Sequence, residues 1–362
     1  MRRYATSSRR NKMDIRACLE EAVKRKASDF HIVVGIAPTL RIDGKLLFMS
    51  ASPVLREVSK AAIYGILTDE QKKQFEESWE LNFAYAIPAL GRFRVNIYIS
   101  RGNVEAAFRV ISMRPRTLSE LELPGIVGDL SFRPSGLVLI TGAAGQGKTT
   151  TLAAMINHVN HEGRKCRIVT IEDPIEYMHQ NANSVIIQRE VGIDTQSFTG
   201  ALVQSLRQDP NIICIGEIRD LETITTALTA AETGHLVLAT LHTPDAPQCI
   251  DRIVDVFPSH QQQQIRFQLA ASLQGVLSQK LLPRKNGQGS VVAVEALIAT
   301  PAVRNLIRDN KTEQLYGVMQ TSGSHGMILM DDSLKVLYEK GIIDVEVALS
   351  RARDPRNIQE QR

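Results

Sequence analysis

The sequence predicts an α/β fold in which a mostly parallel sheet, with helices on both faces, follows a smaller α+β domain. Three observations support this interpretation. From Gly136 onward, short apolar stretches alternate with segments of helical periodicity. Before residue 112, apolar residues alternate with polar ones, as is typical of antiparallel strands. Beyond about Gln261, helical periodicity dominates, which predicts a mainly helical C-terminal region.

Composition limits the class of protein. The chain has 362 residues, of which 43% are hydrophobic, 23% charged and 5% aromatic, with a net charge of +4. These values are ordinary for soluble globular proteins. No apolar stretch approaches the about 20 residues that span a bilayer, and the four cysteines form no Cys-x-x-Cys pair. We therefore expect a cytoplasmic protein whose membrane association is peripheral.

The chain divides into five predicted segments. Residues 113–135 contain several prolines and glycines, which indicates a linker with one short helical piece, at which two domains could pivot. The expected organisation is a basic disordered tail over 1–12, the α+β domain over 13–112, the linker, the parallel-sheet core over 136–282 and the helical region over 283–362.

The first domain should contain two helices and a sheet. One helix begins near Met13, and a second carries Ile63, Leu67 and Phe75. The dipeptide at Asp43 and Gly44 is a strong hairpin signal. The predicted strands cover residues 30–34, 40–42, 45–48, 83–87, 91–100 and 104–111. In the strand over 91–100, the apolar face carries Phe93, Val95, Ile97 and Ile99.

The second domain contains four apolar, and so buried, parallel strands. They cover residues 137–141, 166–171, 212–215 and 236–240. Helices are predicted after Lys148, over 198–207 and over 220–233, the last capped by Asp220 and ended by Gly234. Farther on, one strand covers 291–298, and Thr300 caps a helix that begins at Pro301.

The sequence GAAGQGKT at residues 142–149 follows the first of these strands and fits the phosphate-loop pattern. Backbone N–H groups of such a loop point at phosphate oxygens, and the helix that follows adds its positive dipole end. Lys148 can reach the β- and γ-phosphates, and the Thr149 hydroxyl can hold Mg²⁺. The predicted nucleotide-binding residues here are Gly142, Ala143, Ala144, Gly145, Gln146, Gly147, Lys148, Thr149 and Thr150.

Polar residues also follow the other strands, at the carboxyl ends where ligands bind in open parallel sheets. Glu217 suits a role in holding Mg²⁺ or positioning water, and Glu172 or Glu176 suits water activation. His242 could contact the γ-phosphate. His235 stands just before its strand, where a structural role is an equal alternative. For each carboxylate alone, a helix cap or a surface ion pair is the plainer interpretation, but the shared position of Glu176 and Glu217 after strand ends favours the phosphate site.

Three arginines of the first domain are candidate cations for the phosphates. Arg92, Arg94 and Arg109 could reach a nucleotide across a domain or subunit boundary as arginine fingers. The alternative, which the residues alone favour, is a solvated face of the sheet.

Four segments in order resemble the secretion ATPases, the motors of type II and type IV secretion and pilus systems. The sequence TIEDPIE at 170–176 resembles their Asp box, and GEIRD at 216–220 resembles their Walker B segment. Residues 233–243 resemble their His box. The sequence AVRNLIR at 302–308 is similar to the C-terminal motif of the PilT-type pilus retraction ATPases, which drive twitching motility.

This resemblance implies a hexameric ring in which a PAS-like N-terminal domain joins a RecA-like ATPase domain. It implies ATP hydrolysis with Mg²⁺, with Glu176 and Glu217 catalytic and His235 and His242 required. The partners it implies are an inner-membrane pilus platform protein and a paralogous accessory ATPase, at the inner face of the cytoplasmic membrane. For Arg304, it implies that replacement by alanine stops retraction and leaves much of the ATPase activity.

The sequence differs from the family motifs in two places, and three other functions stay open as alternatives. The loop has Ala143, Ala144 and Gln146 where the family commonly has Pro, Thr and Ser, and Val303 replaces an Ile, a mild apolar change. The alternatives are a pilus-assembly or type II secretion ATPase, a nucleotide-gated scaffold and a RecA-like nucleic-acid motor. The mild charge and few aromatic residues argue against nucleic acid as a partner.

Overall fold

A computed structural model describes residues 13–42, 44–49, 52–111 and 114–359. The chain splits into two compact units, one ending at Met113 and the other beginning at Arg114. Each has its own hydrophobic core. The predicted tail over residues 1–12 and Asp43 of the predicted hairpin turn lie outside the described residues.

In its described residues, the first unit is a six-stranded antiparallel sheet with three helices. Its strands are β1 (Asp29–Ile32), β2 (Thr39–Ile42), β3 (Lys45–Phe48), β4 (Glu80–Ile87), β5 (Gly91–Ser100) and β6 (Asn103–Ile111). Its helices are α1 (Ile15–Lys24), α2 (Arg56–Tyr64) and α3 (Asp69–Ser78). The strand order is β3-β2-β1-β6-β5-β4, which confirms a small α+β unit at this end of the chain.

Two details of the first unit differ from the sequence prediction. The single helix expected around Ile63 and Phe75 is two helices, because Thr68 and Gln71 form a capping box that starts α3 anew. Phe93, Val95 and Ile97 are fully buried, but Ile99 is 42% exposed. It pairs with Val104 beside the β5–β6 turn, beyond the part of β5 that packs on the core.

The second unit contains seven strands and eleven α-helices among its described residues. The strands are β7 (Gly136–Thr141), β8 (Arg167–Glu172), β9 (Val185–Glu190), β10 (Ile212–Ile215), β11 (Leu236–Leu241), β12 (Leu273–Pro283) and β13 (Ser290–Ile298). The helices before β12 are α4 (Gly125–Ser131), α5 (Lys148–His161), α6 (Phe198–Ser205), α7 (Leu221–Glu232), α8 (Ala246–Asp255) and α9 (Ser259–Ser272). Those after β13 are α10 (Pro301–Arg308), α11 (Leu315–Thr321), α12 (Met330–Glu339), α13 (Val345–Arg351) and α14 (Arg356–Gln359).

The seven strands form one sheet in the order β13-β12-β7-β11-β10-β8-β9. Every pair is parallel except β12 with β13. Each residue of β7 and β11 is buried, so both faces of the sheet are covered, as parallel sheets require. The predicted α/β architecture and its four buried strands are confirmed.

Two strands were not predicted. β12 follows α9 without a turn, and Gln274, Gln279 and Lys280 interrupt its apolar run, which hid its strand character. β9 at the sheet edge has only one fully buried residue, Glu190. The prediction of one strand beyond Gln261 was therefore wrong, because β12 and β13 pair as an antiparallel hairpin that joins the sheet.

The predicted linker is mostly packed structure. From Arg114 it belongs to the second unit, where α4 buries Val127 and Leu130 in the core. All four cysteines are free thiols, and Cys166, Cys214 and Cys249 are buried. Among the described residues, no helix is both long and apolar enough to cross a bilayer.

Candidate nucleotide-binding site

A cleft of about 480 Å³ lies at the carboxyl ends of β7, β8, β10 and β11. It brings together most of the residues that the sequence proposed. The predicted residues that line it are Ala144, Gly145, Gln146, Gly147, Lys148, Thr149, Thr150, Glu172, Glu176, Glu217 and His242. These strands are parallel, so their carboxyl ends lie at the same end of the sheet, which explains the convergence.

The loop between β7 and α5 depends on glycine at its bends. Gly142, Gly145 and Gly147 have φ values of 144°, 77° and 83°, a region that other residues rarely adopt. At Gly142 there is also no room for a side chain, because a Cβ would lie 2.7 Å from the carbonyl oxygen of Gln279. Gly147 is the N-cap of α5, so the loop leads directly to a helix N-terminus.

Lys148 is buried at the base of the loop, with 6% of its surface exposed. Its Nζ donates to the carbonyl oxygens of Gly142 at 2.7 Å and Ala143 at 2.9 Å. Burial lowers the pKa of Lys148, an effect that the nearby Glu217 carboxylate opposes. The ammonium group therefore stands beside the loop that would hold phosphates.

His242 connects Lys148 to Glu217. Its Nδ1 lies 3.2 Å from the Lys148 Nζ, and its Nε2 lies 3.0 Å from the Glu217 Oε1. A neutral imidazole with the proton on Nε2 satisfies both contacts, since Nδ1 then accepts from the ammonium group and Nε2 donates to the carboxylate. The three side chains form a continuous polar chain along the cleft.

Arg219 holds the other oxygen of Glu217. Its Nη2 donates to the Glu217 Oε2 at 2.7 Å, and its Nη1 lies 3.9 Å from the Asp173 carboxylate. Burial raises the pKa of Glu217, but the Arg219 hydrogen bond, the contact with His242 and the charges of Arg219 and Lys148 outweigh it and hold this pKa below its usual range. Glu217 is thus kept ionised, as a cation ligand must be.

Glu172 and Glu176 have different surroundings. Glu172 accepts hydrogen bonds from Thr170 at 2.7 Å and Gln188 at 3.0 Å, and burial raises its pKa. Glu176 is exposed in the cleft, and its carboxylate makes no hydrogen bond within the described ranges. The two candidates for water activation are therefore not equivalent, because only Glu176 presents an uncommitted carboxylate.

Hydroxyl groups line the first turn of α5. Thr149 lines the same cleft as Glu217, and the Thr150 Oγ1 lies 2.8 Å from the hydroxyl of Tyr177. A hydroxyl and an ionised carboxylate in one cleft are oxygen donors of the kind that Mg²⁺ prefers. The donor set of this cleft therefore fits the magnesium ion that the phosphate-loop pattern predicts.

His235 does not line the cleft. It precedes β11, at the opposite end from His242, and a strand of six residues spans about 20 Å. Its Nδ1 lies 3.1 Å from the carbonyl oxygen of Ala230 at the end of α7. The expectation that His235 joins the catalytic group is wrong for the cleft of its own chain. His235 lies at the amino end of β11, whereas the cleft lies at the carboxyl ends of the strands.

The three candidate arginines lie together in the first unit. Arg94 on β5 is opposite Arg109 on β6, and Arg92, two residues from Arg94, shares their face of the sheet. The Nε of Arg109 donates to the Asp29 carboxylate at 3.1 Å. Their contact with a nucleotide stays a prediction.

Several residues of the cleft were missed by the sequence prediction. Arg219 was detectable, since it stands two residues after Glu217 in the GEIRD segment. Leu281 was not, because β12 was not recognised as a strand. The further lining residues are Leu152, Asp173, Pro174, Phe198, Gly216, Arg219, Thr240 and Leu281.

Comparisons with known proteins agree with this geometry. The family model described as "Type II/IV secretion system protein" matches residues 98–340. The chain is 46% identical over 345 residues to the type IV pilus retraction ATPase PilT of Pseudomonas aeruginosa, covering 95% of this chain and 100% of that protein. It is 44% identical over 321 residues to a twitching motility protein of Neisseria gonorrhoeae, covering 89% and 86%.

Among solved structures, the crystal structure of the pilus retraction motor PilT with bound ADP is similar over 97% of this chain and 100% of that one. The TM-score is 0.90 and the sequence identity is 42%. The similarity thus extends across both units and includes the cleft. The chain belongs to the type II/IV secretion system protein family, in its branch of PilT-type pilus retraction ATPases.

Proposed function

We propose that this chain hydrolyses ATP to drive the retraction of type IV pili. The observation that carries this proposal is the convergence of Lys148, Glu176, Glu217 and His242 on one glycine-bent loop at a helix N-terminus. The names of the relatives, a retraction ATPase and a twitching motility protein, favour retraction over pilus assembly.

Phosphate binding would draw on the loop and on Lys148. The N-terminus of α5, a helix of 14 residues, places unpaired N–H groups and a positive dipole end at the loop. The Lys148 ammonium group would exchange its hydrogen bonds with the Gly142 and Ala143 carbonyls for bonds to phosphate oxygens. The cation is already in place, so binding requires a change of partner and little movement of the main chain.

The Thr149 hydroxyl and the Glu217 carboxylate would hold Mg²⁺ together with phosphate oxygens. The ion supplies neutralisation of the charge that develops on the transferred phosphoryl group. His242 and Arg219 keep Glu217 ionised and oriented for this role. When a phosphate takes the Lys148 ammonium group, His242 loses that partner, so the occupancy of the loop is communicated to Glu217.

Glu176 would orient the attacking water. Its exposed carboxylate can accept a proton of a water molecule in the cleft, whereas Glu172 is held by Thr170 and Gln188. The products of the reaction are ADP and phosphate. We assign Glu172 the role of fixing the segment that carries Glu176, since Gln188 donates both to the Glu172 carboxylate at 3.0 Å and to the carbonyl oxygen of Tyr177, next to Glu176, at 2.8 Å.

The motor would work as a hexameric ring on the inner-membrane pilus platform protein, at the inner face of the cytoplasmic membrane. Arg92, Arg94 and Arg109 would contact phosphates across a boundary between domains or subunits. A paralogous accessory ATPase is a further partner in this proposal. The motif at residues 302–308, which lies on α10, assigns the motor to the retraction branch.

The direct test compares purified Lys148→Ala with a control, Lys165→Ala, which removes an exposed cation just before β8. We expect Lys148→Ala to lower steady-state ATP hydrolysis by about 100-fold or more, and the control to keep wild-type turnover. Near wild-type turnover of Lys148→Ala would contradict the site. In cells, loss of a retraction motor leaves pili that do not retract, whereas loss of an assembly motor leaves none.

A further inference from the structure

Residues 279–281 of β12 contact the phosphate-loop region at three points. The Leu281 N–H donates to the Gln146 Oε1 at 2.6 Å. The Gln279 Nε2 donates to the Thr151 Oγ1 at 2.7 Å, a buried contact with the first turn of α5. At the start of the loop, Gly142 approaches the Gln279 carbonyl so closely that no Cβ would fit. One short stretch of strand thus touches the beginning, the middle and the end of this region.

The Leu281 N–H is available because the neighbouring strand has ended. β12 pairs with β7 only as far as Ser278 opposite Thr141. Beyond that point β7 has become the loop, while β13 still pairs with the other edge of β12, with Val292 opposite Leu281. The Gln146 side chain supplies the acceptor that a continuing β7 would have supplied. It extends the hydrogen-bond ladder into the loop.

The length of the Gln146 side chain is what permits this bond. The Ser that secretion ATPases commonly carry at this position has its oxygen one atom beyond Cβ, whereas the Gln amide oxygen stands two carbon atoms farther out. From the same backbone position, a Ser hydroxyl would fall short of the Leu281 N–H. The departure at Gln146 therefore gives this chain a contact that the common residue cannot make.

We propose that Gln146 is a positioning residue, whose side chain fastens the phosphate loop to β12 and so holds the loop amides ready for phosphates. The proposal rests on the proposed nucleotide-binding function. A loop that is already held loses less conformational freedom when a ligand binds. Because the bond acts on the binding of phosphates in general, it strengthens binding of ADP and ATP alike and leaves the chemical step unchanged.

The experiment uses the full chain and three variants, with a fourth, Gln146→Glu, for the exchange measurement alone. Gln146→Met keeps the length of the side chain and removes the acceptor, Gln146→Ser restores the common residue, and Gln288→Ser changes an exposed glutamine in the β12–β13 turn as a control. We measure the Kd of fluorescent ADP, the KM and kcat for ATP, and hydrogen exchange of the Leu281 amide. We expect both Gln146 variants to raise Kd and KM about three- to tenfold, the effect of one hydrogen bond, with kcat within about twofold of wild type.

Leu281 exchange reports the contact independently of activity. It should accelerate in Gln146→Met and Gln146→Ser and stay slow in Gln146→Glu, which keeps an oxygen acceptor at the same distance. Unchanged Kd and unchanged exchange in Gln146→Met would overturn the proposal, and so would a lower kcat at unchanged KM. If wild type itself binds no ADP, the proposed function fails instead, and the exchange measurement still decides whether Gln146 holds β12.

Discussion

At the scale of single residues, Glu172 and Glu176 show how the same side chain acquires different roles. They stand on one short segment, yet Glu172 is half-buried and hydrogen-bonded by Thr170 and Gln188, whereas Glu176 is exposed. A carboxylate that is already committed to two donors has less freedom to follow a reacting water. The surroundings therefore assign water activation to Glu176.

Glu176→Gln should lower kcat by about 100-fold or more and leave the Kd for ADP near wild type, because the amide cannot take up a proton. Glu172→Gln should lower kcat less, since an amide keeps one oxygen, which can still accept from both Thr170 and Gln188 as the Oε1 of Glu172 does. Glu162→Gln, at the end of α5, is the matched control. Steady-state kinetics of the three variants is the measurement, and equal losses at positions 172 and 176 would contradict the assignment.

Glu295 on β13 makes stability depend on pH. It is 2% exposed, and burial raises its pKa from 4.5 to about 7, helped by Asp245 and opposed by the Ala246 N–H and by Lys280. The folded state holds this proton more tightly than the unfolded state. The free energy of unfolding therefore falls as pH rises from about 4.5 to 7. A shift of this size corresponds to about 3 kcal/mol in the free energy of unfolding above pH 7.

Glu295→Gln removes this titration while its amide oxygen still accepts from the Ala246 N–H, as Glu295 does at 2.9 Å. We expect the variant to be more stable than wild type at pH 8, by about 1–3 kcal/mol, and to lose the advantage at pH 5. Urea denaturation at both pH values is the measurement, with the exposed Glu313→Gln as control. A pH-independent difference would show that Glu295 is not the titrating group.

At the scale of elements, α10 is fastened to the end of α9 through Arg304. The guanidinium group donates to the carbonyl oxygen of Ala271 at 2.7 Å, to that of Ala270, and to that of Ala299 at 3.0 Å. Ala270 and Ala271 belong to the last turn of α9, whose carbonyls have no partner within the helix. The arginine of the retraction motif therefore caps a helix within its own chain.

Arg304→Ala should lower the free energy of unfolding by about 2 kcal/mol, since charged donors to otherwise unpaired carbonyls are lost. Arg304→Lys should recover part of this loss. Arg308→Ala is the control, because the Arg308 guanidinium bonds Asn305 on its own helix. Thermal and urea unfolding of the three variants, measured beside ATPase activity and pilus retraction, would separate a structural from a motor role. Wild-type stability of Arg304→Ala would contradict the capping role.

The contact of Arg304 with the end of α9 changes what we expect of Arg304→Ala, for which the family resemblance implies lost retraction with much of the ATPase activity kept. α9 ends at Ser272, and β12 begins at Leu273 and continues to the residues that touch the phosphate loop. Loss of the cap at Arg304 would therefore loosen an element that supports the nucleotide site. We expect Arg304→Ala to lower ATPase activity as well as retraction, and the effect on activity to follow the loss of stability.

At the scale of the whole molecule, the proposed ring would add arginines to the cations that one chain's cleft provides for the phosphates. Within the second unit, Lys148 and Arg219 are the cations among the residues that line the cleft. The first unit carries Arg94 and Arg109 on facing positions of β5 and β6. Placed at a phosphate across a boundary, these arginines would stabilise charge in the transition state.

Arg94→Ala should therefore lower kcat by about 100-fold or more without changing the Kd for ADP of the separate subunit. Lys73→Ala, an exposed cation of α3 in the same unit, is the control. Light scattering should give wild type a mass about six times the 40.1 kDa of the chain. A monomer with full ATPase activity, or wild-type kcat in Arg94→Ala, would contradict the proposed ring.

Local patterns were enough to predict the strands and the loop of the site. Runs of apolar residues marked β7, β10 and β11, because a strand covered on both faces has no polar side. The glycines of the phosphate loop and the cap at Asp220 are likewise set by neighbours along the chain. These features could be predicted because their causes lie within a few residues of their effects.

Contacts between distant residues could only be decided by the tertiary structure. Gln146 and Leu281 are 135 positions apart, and nothing near Gln146 in the sequence indicates that a strand edge will face it. His235 and His242 are close in sequence, yet they lie at opposite ends of β11. The amino-acid sequence alone thus determined the nucleotide loop and the parallel-sheet class, since short-range sterics and burial dictate both. The tertiary fold decided which side chains complete the site, since pairing of remote strands sets those distances.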